Sequence, residues 1–327
     1  MIECLESVFR ATLPARGLTS PAAVHICKLA HEPYPDPATA LVFLLFEDDS
    51  PHPSAVAKVA RSAAADAAVH AECRGIEVAR SSLSGACRSV VPENLAAGVL
   101  NGRAYAMWTA RPGRGEWHHT FTLGDARRAA PRLRAALDWA AQAAQATAGT
   151  AIAACEWLGA WDGVQTALAT AGVTPALLAA LHRRVAPAWD RPWPAALLHG
   201  DFFPGNVLFE GNCVTGVVDW GGAVPRGPAF VDPLTYELAF ALHLLGTGRR
   251  VRAEDLQAIA ALPPFRRERT ATTAAGVIAT APGSVPRLVA VVGGILRELQ
   301  GGPARRKAAA AWIELAAVEA TIDAGAA

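Results

Sequence analysis

The residue pattern changes near residue 113, and this change limits the possible folds more than any other feature. Upstream, short apolar runs rich in Val, Ile, Leu and Phe alternate with turns rich in Pro, Asp and His, which is typical of antiparallel strands. Downstream, long Ala/Leu/Arg segments have helical spacing. The pattern therefore predicts an α+β chain, with a small antiparallel-sheet lobe over residues 1–110 and a larger, mainly helical lobe over residues 111–327.

The spacing also predicts individual elements. In the first lobe it predicts strands over 24–30, 40–46, 55–59 and 104–108, a helix over 62–82, and a hairpin turn at Asn101-Gly102. In the second lobe it predicts helices over 125–146, 175–185, 232–245, 285–300 and 303–322. A strand-like island over residues 197–220 interrupts these helices.

Composition narrows the class of protein. The 30 basic and 29 acidic residues give a net charge of +1, so no charge excess favours nucleic acid or an anionic membrane as a partner. No apolar run approaches the roughly 18 residues of a membrane span, and the first residues lack the basic start of a secretory signal. The six cysteines are scattered without a C-x-x-C pair, which favours reduced, mostly buried thiols. A cytoplasmic location is expected.

The island carries the polar residues best suited to chemistry. Two short apolar strands each end at polar groups: Asp201 and Asn206 follow the first, and Asp219 follows the second. The intervening Pro204-Gly205 forces a tight turn that can direct Asp201 and Asn206 at a common volume. Carboxylate and amide oxygens suit Mg²⁺, which takes few protein ligands and completes its shell with water and phosphate.

This segment resembles the aminoglycoside phosphotransferase and choline kinase family, which is related to the protein kinases. The family signature is H-G-D-x-x-x-x-N, followed about a dozen residues later by two hydrophobic residues and Asp, often Asp-Trp. The chain matches it at His199, Gly200, Asp201, Asn206, Asp219 and Trp220. The resemblance implies a two-lobed protein-kinase-like fold.

The resemblance also implies roles for these residues. Asp201 would accept the proton of the substrate hydroxyl as the γ-phosphate is transferred. Asn206 and Asp219 would hold Mg²⁺ against the phosphates of ATP or GTP. We expect His199 to brace the loop by hydrogen bonding, because Asp201 already fills the position of the base. Asp232 resembles a later family aspartate with a structural, bracing role.

A kinase-like small lobe should supply a strand lysine for the nucleotide phosphates and a helix glutamate to orient it. The chain has only three lysines, and Lys58 lies between β-forming residues of a predicted strand. Glu72 shares a helical face with Ile76 and is the favoured partner; Glu77 is the alternative.

The resemblance places the adenine base beside the segment that joins the lobes. Met107, Trp108, Thr109 and Ala110 occupy that position and would offer backbone groups to the nucleotide. The side chain of Met107 fits either a pocket wall or the core. One departure from the kinases is clear: the turn over residues 30–39, which would cover the phosphates, has three prolines and no glycine.

These residues favour an ATP- and Mg²⁺-dependent phosphotransferase that acts on a hydroxyl of a small molecule. Candidate acceptors are aminoglycoside-like compounds, sugars, amino alcohols and other natural products such as macrolides. A catalytically silent kinase-like protein that binds a ligand or partner is the main alternative, supported by the glycine-free turn. Transfer of another part of the nucleotide, such as AMP, is a third possibility.

Overall fold

The computed structural model describes residues 1–14, 21–29, 39–115, 126–245, 285–300 and 305–322. Its first five strands form one antiparallel sheet in the order β1-β2-β3-β5-β4. They are β1 (Val24–Lys28), β2 (Ala40–Glu47), β3 (Ala55–Ala60), β4 (Asn94–Leu100) and β5 (Arg103–Thr109). Asn101 and Gly102 join β4 to β5 with φ of 50° and 73°, the positive values that the predicted Asn-Gly hairpin turn requires.

Each face of this sheet is covered by a helix. Along β3 the side chains alternate, so that Ala57 and Val59 lie on one face while Lys58 lies on the other. The first of these faces packs against α1 (Ile2–Thr12), where Leu5 and Phe9 are buried. The sequence analysis did not predict α1.

The opposite face packs against α2 (Ala63–Ser82), which the sequence analysis did predict. This helix begins at Ser62, whose side chain accepts a hydrogen bond from the backbone N–H of Ala65. Its buried positions recur at helical spacing and include Val69, Glu72, Cys73, Ile76 and Ala79. The helix thus presents one buried acidic residue, Glu72, within an otherwise apolar stripe.

In the described part of the remaining chain, helices are combined with two small sheets. Its helices are α3 (Gly85–Ser89), α4 (Ala126–Ala146), α5 (Ala154–Leu158), α6 (Trp161–Thr170), α7 (Pro175–Val185), α8 (Val231–Leu245), α9 (Val285–Gln300) and α10 (Arg305–Ile322). Its strands are β6 (Arg114–Gly115), β7 (Gly149–Ala153), β8 (Pro192–Leu198), β9 (Val207–Glu210), β10 (Cys213–Val217) and β11 (Val224–Pro228). They pair in the orders β10-β9-β6 and β11-β8-β7.

These small sheets position the polar island. Strand β8 ends immediately before His199, β9 begins immediately after Asn206, and β10 ends two residues before Asp219. A short 3₁₀ turn at Trp220–Gly222 then leads to β11. The predicted α+β architecture, an antiparallel sheet followed by a mainly helical region, is confirmed.

The cysteines and the helix lengths bear on two other features of the sequence. All six cysteines are free thiols, but only Cys73 and Cys87 are buried, while Cys27 and Cys213 are exposed. The expectation of mostly buried thiols was therefore wrong, because exposed β-strand ends carry two of them. Among the described helices, none is both long enough and apolar enough to cross a bilayer.

Candidate active site

The loop after β8 is held in an unusual backbone conformation. Gly200 has a φ of +77°, which a residue with a side chain rarely adopts. A Cβ atom at this position would also collide with the backbone carbonyl oxygen of Gly222. Glycine at position 200 therefore lets the loop turn sharply while it lies directly against the 3₁₀ turn after Asp219.

The imidazole of His199 is enclosed within this loop. Its Nδ1 atom accepts from the backbone N–H of Asp201 at 3.2 Å, so Nε2 carries the proton and donates to the carbonyl oxygen of Val218 at 2.9 Å. The ring also lies 4.4 Å from that of Trp220, centre to centre. Both ring nitrogens thus bind backbone groups, an arrangement that suits the bracing role predicted for His199.

Asp232, at the start of α8, fixes the same loop from behind. Its carboxylate accepts hydrogen bonds from the backbone N–H groups of His199 at 2.6 Å and of Gly200 at 3.2 Å. Burial raises the pKa of Asp232, while His199 and these two backbone donors oppose the rise. The contacts agree with the structural role that the sequence suggested for Asp232.

Asp201 and Asn206 lie side by side. The side-chain nitrogen of Asn206 donates to the backbone oxygen of Asp201 at 3.0 Å and to its carboxylate Oδ2 at 3.3 Å. Both residues are buried, with exposed fractions of 9% and 7%. The tight turn between them thus brings the two polar groups into direct contact.

Lys58 joins the sheet to the island. Its ammonium group donates to the carboxylate of Glu72 on α2 and to Oδ1 of Asp219, the latter at 2.9 Å. The structure pairs Lys58 with Glu72; the carboxylate of Glu77 instead lies 3.4 Å from the side-chain nitrogen of Asn94. Lys58 thus forms ion pairs both within the N-terminal region, with Glu72, and with Asp219 of the island.

The charges around Lys58 determine its protonation. Burial by itself would lower the pKa of Lys58, but the negative charges of Asp219 and Glu72 outweigh burial and raise it above its ordinary value. Burial raises the pKa of Glu72, and the ammonium of Lys58 opposes that rise. Lys58 therefore stays a cation throughout the neutral range.

Asp219 and Asn206 have the oxygen donors that Mg²⁺ prefers. Asp219 has a φ of +65°, a left-handed conformation rare for a residue with a side chain, and its side chain remains 43% exposed. Because Asn206 uses its nitrogen on Asp201, its oxygen is the end left for a ligand. Within the described residues, no three His, Cys, Asp or Glu side chains cluster as a metal site. Mg²⁺ takes few protein ligands and completes its shell with water and phosphate, so the chemical types of these two oxygens suit it.

The segment that joins the lobes differs from the simplest expectation for a nucleotide site. The backbone N–H groups of Thr109 and Ala110 already donate to the carbonyl oxygens of Glu93 and Ser54, at 2.9 and 3.0 Å. Met107 lies in the apolar cluster under α1, on the face opposite Lys58. Met107 is therefore a core residue and not a pocket wall. The backbone N–H groups of Thr109 and Ala110 are already hydrogen-bonded within the protein.

Trp108 lies on the same face of the sheet as Lys58. The ammonium of Lys58 is 5.7 Å from the centre of the Trp108 ring, within the range of a cation–π contact. The ring is itself buried, with 3% exposed. Trp108 therefore forms part of the wall behind Lys58. The glycine-free turn lies outside the described residues at positions 30–38.

The sequence analysis missed one residue of the site, Arg297 on α9. Its guanidinium lies 3.1 Å from Oδ1 of Asp201 and donates to the backbone oxygen of Gly200, also at 3.1 Å. No local motif marks residue 297, because its partners lie nearly one hundred residues earlier in the chain. The sequence signal was an arginine within a largely apolar predicted helix.

Solved structures with low sequence identity share this architecture. A thermostable mutant of aminoglycoside phosphotransferase APH(4)-Ia superposes with a TM-score of 0.58 at 17% identity, over 97% of this chain and 99% of that one. The aminoglycoside-3′-phosphotransferase of type VIII gives a TM-score of 0.52 at 17% identity, over 82% and 92%. These similarities establish the two-lobed, protein-kinase-like fold that the resemblance implied.

Sequence comparisons give short matches to two curated proteins and one long match to a family. Homoserine kinase of Methylocella silvestris is 42% identical over 55 residues, and that of Zymomonas mobilis is 40% identical over 48 residues. The matched segments cover 15% of the length of these curated relatives, and 17% and 15% of this chain. The sequence profile of the Phosphotransferase enzyme family, by contrast, matches residues 31–272. This match covers most of the chain, and the chain belongs to the Phosphotransferase enzyme family.

Proposed function

We propose that this protein is an ATP- and Mg²⁺-dependent kinase that transfers the γ-phosphate to a hydroxyl group of a small molecule. In this proposal residues 1–110 bind the nucleotide, and residues 111–327 carry the catalytic loop and the acceptor site. The observation that carries it is the Lys58 contact with Glu72 and Asp219, which joins the sheet to the turn after β10. The loop that holds Asp201 and Asn206 packs against that turn through His199 and Gly200. A protein that only bound a ligand would have no need for this full set of charged groups.

Each residue has a part in the transfer. Asp201, held by Asn206, accepts the proton of the acceptor hydroxyl as that oxygen attacks phosphorus. Lys58, held as a cation between its two carboxylates, binds phosphate oxygens. Asn206 and Asp219 hold Mg²⁺, which when bound neutralises charge on the phosphates. His199 and Asp232 keep the loop in place.

The acceptor is defined here only as a small molecule with a hydroxyl group. Relatives of the same fold include a complex of APH(4)-Ia with AMP-PNP and hygromycin B and a Streptomyces rimosus enzyme with ADP and streptomycin. The short matches are to homoserine kinases. These relatives support a screen with aminoglycosides and homoserine. Macrolides, sugars, choline and other amino alcohols complete the panel.

The test begins with ADP release from ATP and MgCl₂ across that panel, with D201A as the blank. D201A should lose several orders of magnitude in turnover and still bind ATP, because the base is lost while the phosphate-binding residues remain. D162A, which removes an exposed carboxylate from the first turn of α6, is the matched control and should behave as wild type. Wild-type rates in D201A would rule out Asp201 as the base.

Nucleotide binding is tested separately by thermal unfolding. ATP with Mg²⁺ should raise the melting temperature of the wild type, because a ligand that binds only the folded state stabilises it. D219A should lose the Mg²⁺-dependent part of that shift. If ATP with Mg²⁺ leaves the melting temperature of the wild type unchanged, the result would favour a catalytically silent kinase-like protein. If the acceptor carries AMP after the ADP-release assay instead of phosphate, the result would favour AMP transfer.

A further inference from the structure

Two side chains from distant parts of the chain contact the carboxylate of Asp201. Asn206 donates to Oδ2 from within the catalytic loop, and Arg297 reaches Oδ1 from α9. Each carboxylate oxygen has two acceptor positions, so both oxygens keep one position for another donor. Building on the function proposed above, we infer that Arg297 is a positioning residue, which holds Asp201 in the orientation that receives the acceptor hydroxyl.

Arg297 is itself fixed on every side. Its Nε and Nη2 atoms donate to Oε1 of Glu298, at 3.3 and 2.9 Å, while Nη1 donates to the backbone oxygen of Gly200. Its guanidinium lies 5.9 Å from the ring centre of Trp312 on α10. A planar, five-donor group can make all of these contacts at once, whereas an ammonium cannot. The side chain can therefore impose a direction on Asp201 rather than only supply charge.

Docking of α9 does not depend on Arg297. The helix buries Leu288, Val291, Val292 and Ile295 completely, and Arg287 pairs with Glu237 of α8 at 2.8 Å. These contacts hold α9 against the helical core and against α8. The contact with Asp201 is thus additional to what the helix needs for packing, which is why we assign it to the reaction.

The charge around Arg297 supports orientation as its main effect. Glu298 is 8% exposed and Asp201 is 9% exposed, so the guanidinium lies between two buried carboxylates. Glu298 offsets much of the positive charge that Arg297 brings to the site. Loss of Arg297 would leave Asp201 with one side-chain donor among the contacts described above, and its carboxylate would gain rotational freedom. Misplacement of about 1 Å can cost on the order of 100-fold in rate.

The experiment compares R297M with R287M, which removes another partly buried arginine of α9. The readout is ADP release from ATP and MgCl₂, first with water as the acceptor and then with the best acceptor of the panel. R297M should lose about 10- to 100-fold in kcat with a KM for ATP within about 2-fold of wild type. R287M should keep its kcat within about 2-fold of wild type, even if its melting temperature falls as much as that of R297M. R297K keeps a charge but lacks the planar group, and should recover part of the rate.

A double-mutant cycle tests whether Arg297 acts through Asp201. In the D201N background, R297M should cost less than about 2-fold, because the carboxylate that it positions is already gone. An equal cost in both backgrounds, or a kcat of R297M no lower than that of R287M, would overturn the inference. A faster R297M would identify the contact as a brake and would also overturn it. If R297M does not fold, R297K decides the question, and full wild-type kcat in R297K overturns the inference.

The cycle also separates this inference from the proposed function. If D201N turns over as fast as wild type, the proposed function fails and the positioning role fails with it. If D201N is inactive while R297M and R297K are as active as R287M, the proposed function stands and only the role of Arg297 fails.

Discussion

At the scale of single residues, Lys58 balances the negative charge of a buried carboxylate. Its ammonium lies between the carboxylate of Glu72, which is 5% exposed, and that of Asp219, which is 43% exposed. Water can stabilise Asp219 without Lys58, but it cannot reach Glu72 to the same extent. Removal of Lys58 should therefore act mainly through Glu72.

The K58M variant should be less stable than wild type by about 3–5 kcal/mol near pH 8, since it leaves a buried carboxylate unpaired. Without the opposing ammonium, burial raises the pKa of Glu72 further. In folded K58M the carboxyl group of Glu72 then keeps a proton that it releases in the unfolded chain. The free energy of unfolding is therefore highest at low pH, and it falls as the pH rises through the folded-state pKa of Glu72.

Urea unfolding of K58M and of K58M/E72Q between pH 5.5 and 8.5 checks this expectation. The double variant lacks the titrating carboxyl group and is the matched control. K58M should fall progressively below K58M/E72Q as the pH rises. A difference between the two that stays constant with pH would show that Glu72 is not the group responsible.

Local spacing explains which site residues the sequence could predict. Asp201, Asn206 and Asp219 lie within a short segment bounded by apolar strands, and Glu72 shares a face of one helix with Ile76. Arg297 could not be found in this way, because its contact with Asp201 depends on how α9 packs. The hydrogen bonds of the Thr109 and Ala110 backbone N–H groups could not be predicted either, because their acceptors lie in distant parts of the sequence.

At the scale of elements, α2 connects the sheet to the catalytic island at close range. It carries Glu72 toward Lys58, and three residues later Gly75 lies against the backbone of Trp220. A Cβ atom on Gly75 would overlap the carbonyl oxygen of Trp220. Glycine is required here for close approach, although it lowers helix propensity by about 1 kcal/mol relative to alanine.

The G75A variant should therefore be destabilised, by about 1–3 kcal/mol, because α2 must move away from Trp220. The same movement should weaken the Lys58–Glu72 contact and raise the KM for ATP. G163A in α6 is the control, since no other group lies near the added methyl there, and it should be neutral or slightly stabilised. Melting temperatures of both variants check the expectation, which fails if G75A is as stable as G163A.

The elements that sequence pattern predicted best are those with strong local signals. Helix α7 begins after Thr174, whose hydroxyl accepts from the backbone N–H of Leu177, and Pro175 occupies its first turn, where proline is favoured. The two small sheets were harder to predict, because strands as short as β6 and β7 have little periodicity of their own. Their formation depends on pairing with β9 and β8.

At the scale of the whole molecule, the buried apolar side chains divide into separate clusters. The main cluster extends from α2 and the sheet through the helical region. A second cluster lies between α1 and the opposite face of the sheet and includes Phe9, Leu45 and Met107. Mutations in the second cluster should therefore change stability without altering the side chains that face Lys58.

The F9A variant tests this separation. Phe9 is 1% exposed, so its truncation should cost about 3–5 kcal/mol in unfolding free energy. The KM for ATP should stay near the wild-type value at temperatures where the variant is folded. I2A, at a position of the same helix that is 53% exposed, should change the stability little. Urea titrations with kinetic assays provide the measurement, and a large rise in the KM of F9A would contradict the separation.

The contact between α9 and the catalytic loop has a consequence for biosynthesis. Gly200 and Arg297 are 97 residues apart, so a ribosome finishes the catalytic loop long before it makes the helix that completes its surroundings. A nascent chain that ends after α8 lacks α9, so the apolar side chains that pack against α9 in the folded protein would be exposed. Exposed apolar surface promotes aggregation and proteolysis. Premature termination anywhere upstream of α9 should thus yield material that is cleared by the cell rather than partly active enzyme.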